Sequence, residues 1–358
     1  MSNFVTTCGK AASILALASC AQDSRLSTQS MSRGEQTPNR EGPPQLRALQ
    51  PDVSSVAHTH HETGLSILSS DISSNTTLRI GRTYLIDGEV HVLRGVQLTI
   101  EDGVTVLIRN GYRARRTLDT SALIFDSGSQ LNAHTVTFGS ADESGNKVDE
   151  ALNGGVFFCG SYRSGIKDGI SSQCKAPLSC FRAYRIVADH IGRPDPALGD
   201  GNDNDRDDID AISLIGLGGG EWRVRAVETR CSGDDGFDVY NSSIALDTLS
   251  VTNPTEDGVN LTSSTLTIRK NCTIDMTPTE SADRELFDFE IDHGRSRINL
   301  AKESFVRVRG VWGNEADDVR LTSRDMPRPP QLGSSNAHYE FDGVLKKSRA
   351  RISSRSTD

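Results

Sequence analysis

The sequence predicts an all-β chain wound as a single-stranded right-handed parallel β-helix, a solenoid flanked by disordered N- and C-terminal segments. Three observations carry this expectation. Of 358 residues, 32 are Gly and only 5% are aromatic, which suits many short strands sharing a narrow core between tight turns. Past residue 74, short alternating apolar segments rich in β-branched residues recur between Gly, Asn, Asp and Ser, each too short for a helix. Most specifically, one pattern repeats: Asp210-Ala-Ile-Ser-Leu214, then Asp235-Gly-Phe-Asp-Val239 25 residues on, then Asp257-Gly-Val-Asn-Leu261 after 22 more. That spacing is about one coil of such a solenoid, each coil lying ~4.8 Å above the last. No coil buries its apolar row alone, so the stack makes the core.

Residues 1–20 end a short apolar stretch, Ala11 to Ala18, with Leu17-Ala18-Ser19-Cys20. This resembles a bacterial lipoprotein signal peptide, and the resemblance implies lipidation at Cys20. Simple secretion and a plain disordered N-terminus are the alternatives. The expected location is the cell surface (outer membrane or periplasm) or the extracellular space, with membrane contact only through the lipid anchor. Residues 21–74, rich in Ser, Gln, Arg, Pro and Thr, cannot bury enough surface to offset their ordering entropy and are expected to be a disordered tether. His58, His60 and His61 fall within it; a mobile segment offers no preformed metal geometry, so a solvated linker is the preferred reading.

The solenoid is expected over residues 75–325. Its candidate strands are 77–80, 84–92, 96–100, 104–108, 123–125 and 136–138, then the repeats above with looser copies at 287–291 and 317–321. A second track runs between them at 222–227, 244–251, 266–274 and 305–311. In residues 326–358, MPRPPQL breaks the rhythm, 337–345 reads as a last strand or a cap over the open end, and a basic, Ser-rich tail follows. The seven cysteines contain no CxxC pair and so fit no zinc site. In an exported chain the cluster Cys159, Cys174, Cys180 suggests one disulfide.

The segments starting Gly81-Arg-Thr-Tyr-Leu-Ile-Asp-Gly and Gly95-Val-Gln-Leu-Thr-Ile-Glu-Asp-Gly, with Ser121-Ala-Leu-Ile-Phe125, Asn153-Gly154-Gly155 and Ser232-Gly-Asp-Asp-Gly-Phe-Asp238, resemble the coils of bacterial surface lipoproteins with pectin-lyase-like β-helices. The resemblance spans roughly residues 75–260. It implies the fold and leaves activity open, because that superfamily holds lyases, hydrolases, epimerases and non-catalytic adhesins.

With 39 basic against 48 acidic residues, the net charge of -9 argues against a nucleic-acid partner. Six aspartates crowd into eleven residues. Asp200, Asp203, Asp205, Asp207 and Asp208 could converge on Ca²⁺, which takes six to eight oxygens and relieves their repulsion. The spacing is not that of an EF-hand, since Leu214 stands where its Glu belongs. A solvated acidic loop is the alternative.

Stacking of equivalent repeat positions brings Asp210 beside Asp235, with Asp234 adjacent. Crowding of three carboxylates raises at least one pKa and could supply an acid beside an ionised base. The segment resembles the Gly-Asp-Asp of polygalacturonase-type hydrolases. That resemblance implies Asp234 as acid and Asp210 and Asp235 activating water for inversion. The chain departs from it at Glu256-Asp257-Gly258, where Gly-His-Gly belongs, and lacks the later Arg-Ile-Lys, Ile268-Arg269-Lys270 being misplaced and scrambled. A plainer reading takes these Asp residues as turn formers: Asp-Gly at 235–236 and 257–258 repeats at a solenoid corner, where Asp caps and Gly takes positive φ.

Arg223 and Arg225, and Arg307 and Arg309, alternate with core-directed Val residues and would face outward. On one sheet they would make a basic stripe able to engage uronates or sulfates; the alternative is pairing with Glu228 and Glu303. Together these features point to a surface module binding polysaccharide or cell-surface glycan without catalysis. The alternative is an inverting polysaccharide hydrolase.

Overall fold

Alternating sequences become strands that bury every second side chain. In Thr265–Asp275, Leu266, Ile268, Cys272 and Ile274 are buried while Arg269 and Lys270 are exposed. The run Arg269-Lys270-Asn271, all exposed, interrupts strict alternation and coincides with a register shift opposite Leu246/Thr248. An extra residue there restores the apolar phase. The structure, a computed structural model, describes residues 58–59, 64–111, 116–194, 209–276, 284–290, 292–301, 304–312 and 339–345. Among the described residues the chain is all-β, without helix.

Two sheets dominate. The smaller has seven strands, all parallel, in the order Asp288–Glu290, Val259–Thr262, Phe237–Tyr240, Ile212–Ile215, Val156–Cys159, Ala122–Phe125, Glu89–Val92. The larger has 16 strands. Its main path includes Thr83–Ile86, Val104–Arg109, Thr135–Ala141, Cys180–Asp189, Trp222–Arg230, Ser243–Thr252, Thr265–Asp275, Phe305–Trp312 and Tyr339–Leu345. The pairs along this path are parallel. From Ile212 to Asp275 the chain visits the two sheets alternately, and one core cluster draws on both. At its centre Phe158 stacks on Phe125 (ring centroids 4.9 Å apart) and meets Phe181 and Trp222 edge-on at 5.1 and 5.3 Å.

The corners repeat as regularly as the strands. His190, Cys231 and Asn253 all take positive φ, and the backbone N–H of each bonds the carbonyl ending the next strand: Arg230, Thr252 and Asp275. A second corner is tied by serines. The Ser242 hydroxyl accepts from Leu217 N at 2.8 Å, that of Ser264 from Ser242 N at 2.8 Å, and that of Ser296 from Ser264 N at 3.2 Å. These hydroxyls satisfy buried amides that turning corners leave without a sheet partner.

Four sequence expectations change. Leu65–Leu68, inside the segment 21–74 expected to be a tether, is a strand paired in parallel with Thr83–Ile86. The stretch 84–92 is two strands, Thr83–Ile86 in the larger sheet and Glu89–Val92 in the smaller, because Asp87-Gly88, with Gly88 at φ 100°, turns a corner inside one apolar run. The copy at 287–291 is displaced by two: Asn260 pairs with Asp288, so Glu285 stands at the Asp257 position. A two-residue slip keeps the same side chains inward, which is why alternation alone does not detect it. Cys159, Cys174 and Cys180 are all free, with Cys159 buried, so no disulfide staples this cluster. The 337–345 segment supplies Tyr339–Leu345, a sheet strand; the copy at 317–321 lies outside the described residues.

Candidate functional site: a sealed carboxylate cluster and an arginine groove

Asp210 precedes the smaller-sheet strand Ile212–Ile215, and Asp234-Asp235 precede the next one, Phe237–Tyr240. Register pairs Ser213 with Asp238, which sets Asp210 beside Asp235. Ser232 fastens the junction, its hydroxyl accepting from Ala211 N at 3.0 Å and donating to the Asp235 carbonyl at 2.6 Å. One carboxylate oxygen from each of Asp210, Asp234 and Asp235 then lies within 4.8 Å of the others. The juxtaposition expected from the repeat is therefore present.

Its setting differs from an open hydrolytic groove. Asp210, Asp234 and Asp235 are 1%, 4% and 4% exposed. Their oxygens are closer than the ~6.5–9.5 Å an inverting pair uses to admit water. Asp235 also has structural work: its Oδ1 accepts from Asp257 N at 2.9 Å, and Asp257 Oδ1 in turn accepts from Glu285 N. Each acid caps the amide of its equivalent in the next repeat. The glycines of the expected Asp-Gly turns serve differently: Gly236 and Gly258 do not take positive φ, and a Cβ on either would stand 2.7 Å from the carbonyl oxygen of the next repeat, Gly258 or Leu286.

Asp210 departs from this ladder. Its Oδ2 accepts from the Ser213 hydroxyl at 2.9 Å and lies 3.4 Å from Lys167 Nζ. Lys167 comes from the Gly165–Lys167/Ile170–Ser172 hairpin. Asp168 follows it, and Asp238 is fully buried on the strand after Asp234-Asp235. Burial, with Asp210 and Asp257 nearby, pushes the Asp235 carboxyl well above its ordinary range; burial does the same to Asp238 and Asp257. Lys167 is held well above its ordinary value, since Asp168, Asp210, Asp238 and Asp235 outweigh the burial that opposes its charge. Sequence reasoning passed over Asp238, although its place between the core residues Phe237 and Val239 is the signal that turns it away from the core. Lys167 and Asp168 carry no such signal, because nothing in the repeat says where an inserted hairpin folds back.

The same outward row, His91–Ile124–Phe157–Ser213–Asp238–Asn260–Asp288, carries a second ionic cluster at its far end. His91 Nδ1 is 2.7 Å from Asp126 and Nε2 2.9 Å from Glu89, whose other oxygen accepts from Thr117 N and Leu118 N. Burial opposes the charged ring, but hydrogen bonds to Asp126 and Glu89 prevail and raise its pKa from 6.5 to about 9. The stabilisation is fully present below pH 6.5 and is lost as pH rises through 9. With solvent screening on the Asp126 side, it amounts to about 1–2 kcal/mol. Thermal melts from about pH 6 to 10 should show wild type losing that margin relative to His91→Gln; parallel curves would refute the network.

On the larger sheet, Arg223 and Arg225 point outward from Trp222–Arg230, as alternation requires. They border a groove of about 490 Å³ together with Ser243, Asp247, Thr267 and Arg269. Arg223 Nε donates to the Gly220 carbonyl at 3.2 Å, while Arg225 makes no hydrogen bond or ion pair among the described residues. Asp247 is the acid of the groove. Lys270, hydrogen-bonded at 2.9 Å, lowers its pKa with help from Arg225 and Arg269. Glu228, an expected partner, pairs instead with Arg185 and Arg230. Arg269 is the groove residue sequence reasoning missed, although it stands in the misplaced Ile268-Arg269-Lys270.

The other arginine pair does not complete the expected stripe. Arg307 aligns with Thr273, Ser250 and Glu228, whereas Arg223 aligns with Arg182. Glu228 is five positions along the strand from Arg223, about 16 Å away. Arg307 lies over the Phe305 ring at 5.4 Å, and Arg309 reaches Asp275 at 3.5 Å. The suggested Glu303 partner, the ligand set Asp200, Asp203, Asp205, Asp207 and Asp208, and Cys20 lie outside the described residues.

Compared with protein-family models, curated proteins and solved structures, the chain matches none.

Proposed function

We propose that this chain is a surface-associated right-handed parallel β-helix that binds acidic polysaccharide without cleaving it. The solenoid reading is supported by the alternate visits to two parallel sheets and by corners that repeat in step with the strands. Right-handedness follows from the strong preference of parallel crossovers. Export, with lipidation at Cys20, belongs to the same reading and would present the groove to cell-surface or environmental glycan.

The observation that carries the ligand class is the groove's charge: Arg223, Arg225 and Arg269 line it against one acid, Asp247. Planar guanidiniums suit carboxylates and sulfates, and three of them on an otherwise acidic protein form a local site for a polyanion. Catalysis draws less support, because the clustered aspartates are sealed and turn-bonded.

Affinity electrophoresis should show retardation by polygalacturonate but not by a neutral glucan. Replacing Arg223, Arg225 and Arg269 by Ala should weaken the polyanion interaction at least about tenfold and raise mobility accordingly. Equal retention by both glycans, or an unaffected triple variant, would reject the reading. Reducing-sugar release that Asp234→Asn abolishes would favour the hydrolase instead.

A further inference from the structure

We propose that Asp210, Asp234 and Asp235 form a buried calcium site that locks adjacent repeats together, separate from the acidic run 200–208 and independent of the glycan groove. Calcium–oxygen distances of about 2.3–2.6 Å make a coordination sphere about 5 Å across. The three carboxylates, with oxygens within 4.8 Å of one another, are near enough to share one such ion. A magnesium sphere, about 4 Å across, is smaller and demands stricter octahedral geometry.

A second observation separates this cluster from an ordinary acidic patch. Asp210 is 1% exposed, and its Oδ1 has no hydrogen-bond partner even though Oδ2 is engaged by Ser213 and Lys167. Asp238 is fully buried within electrostatic reach of Lys167 and Asp210, with neither oxygen hydrogen-bonded. Anionic oxygens removed from water need protons, donors or cations. The charged groups around the cluster are Lys167 and Asp168 from the hairpin, the buried Arg193, whose main chain bridges to Ile209, and Glu256, Asp238 and Asp257 from the following repeats. Acids outnumber bases among them, so a divalent cation would relieve repulsion that Lys167 and Arg193 together do not balance. The hard, all-oxygen donor set suits calcium rather than a transition metal.

An ion here would tie Asp210, where the chain re-enters the smaller sheet, to the corner of the next repeat. Two neighbouring strands then share one ligand, and apparent stability depends on free calcium.

The test uses the full chain, stripped with EDTA and titrated calorimetrically with CaCl₂. Calcium should bind and raise the melting temperature, and Asp210→Asn should weaken that binding at least about tenfold. A variant carrying Asp203→Asn, Asp205→Asn and Asp207→Asn should retain the Asp210-dependent binding. No calcium binding by wild type, or binding lost in the triple variant and unchanged in Asp210→Asn, would overturn the proposal. Hydrogen exchange on wild type provides a readout free of folding defects in variants. Calcium should slow exchange in 210–215 and 234–240; slowing confined to 200–208, or none, would also overturn it.

Discussion

Phe158→Ala is expected to lower the unfolding free energy by about 3–5 kcal/mol, as for other buried Phe truncations. Phe158 is fully buried and touches rings on both sheets: Phe125 on its own sheet, Phe181 and Trp222 across the core. Truncation removes a stacked contact and two edge contacts, each worth about 0.5–1.5 kcal/mol beyond area burial, and leaves a void. Main-chain hydrogen bonds hold both sheets in register, so the walls cannot readily collapse into that void. Urea titration should show the midpoint falling with the slope unchanged. A loss below about 1 kcal/mol would mean that the core closes over the gap and that the rings are not its keystone.

Gly155→Ala is expected to cost about 3 kcal/mol or more, through two separable causes. Gly155 has φ +64°, where an L-residue pays about 1–2 kcal/mol. An added Cβ would also stand 2.1 Å from the Asp210 carbonyl oxygen and 3.0 Å from that of Ala211. Backbone cannot rotate away as a side chain can, so the neighbouring strand must shift, and Asp210 with it. Gly103→Ala is the control: its φ is +78°, but a Cβ there meets nothing within 4 Å. It should show only the conformational part. Equal losses for the two variants would remove the close approach as a cause.

Much of this architecture is legible before any coordinates. The 22- and 25-residue intervals between Asp210, Asp235 and Asp257 fall on successive strands of one sheet, and the second track falls on the other. Regular repeats are readable because an acid recurs where each strand restarts, followed by Gly at 235–236 and 257–258. Legibility fades where repetition does. The copy near Phe287 slips by two residues without changing which side chains face inward. The insertion bearing Lys167 follows no period, and an isolated GIK in the sequence says nothing about the acids it meets.

The same division runs through the candidate sites. Local alternation established that Arg223 and Arg225 face outward, and period established that Asp210 meets Asp235; both depend only on backbone geometry shared by every parallel strand. Tertiary structure alone decided that Arg269 joins the first pair while Arg307 aligns with Glu228, since the relative register of distant strands accumulates through bulges and corners between them. It alone also decided that the aspartates are sealed. Burial depends on what folds over a surface, and here that covering includes a hairpin whose place no repeat encodes. What began as a thin-cored, turn-rich acidic chain thus has its composition explained by sequence, and the character of its carboxylates explained by packing.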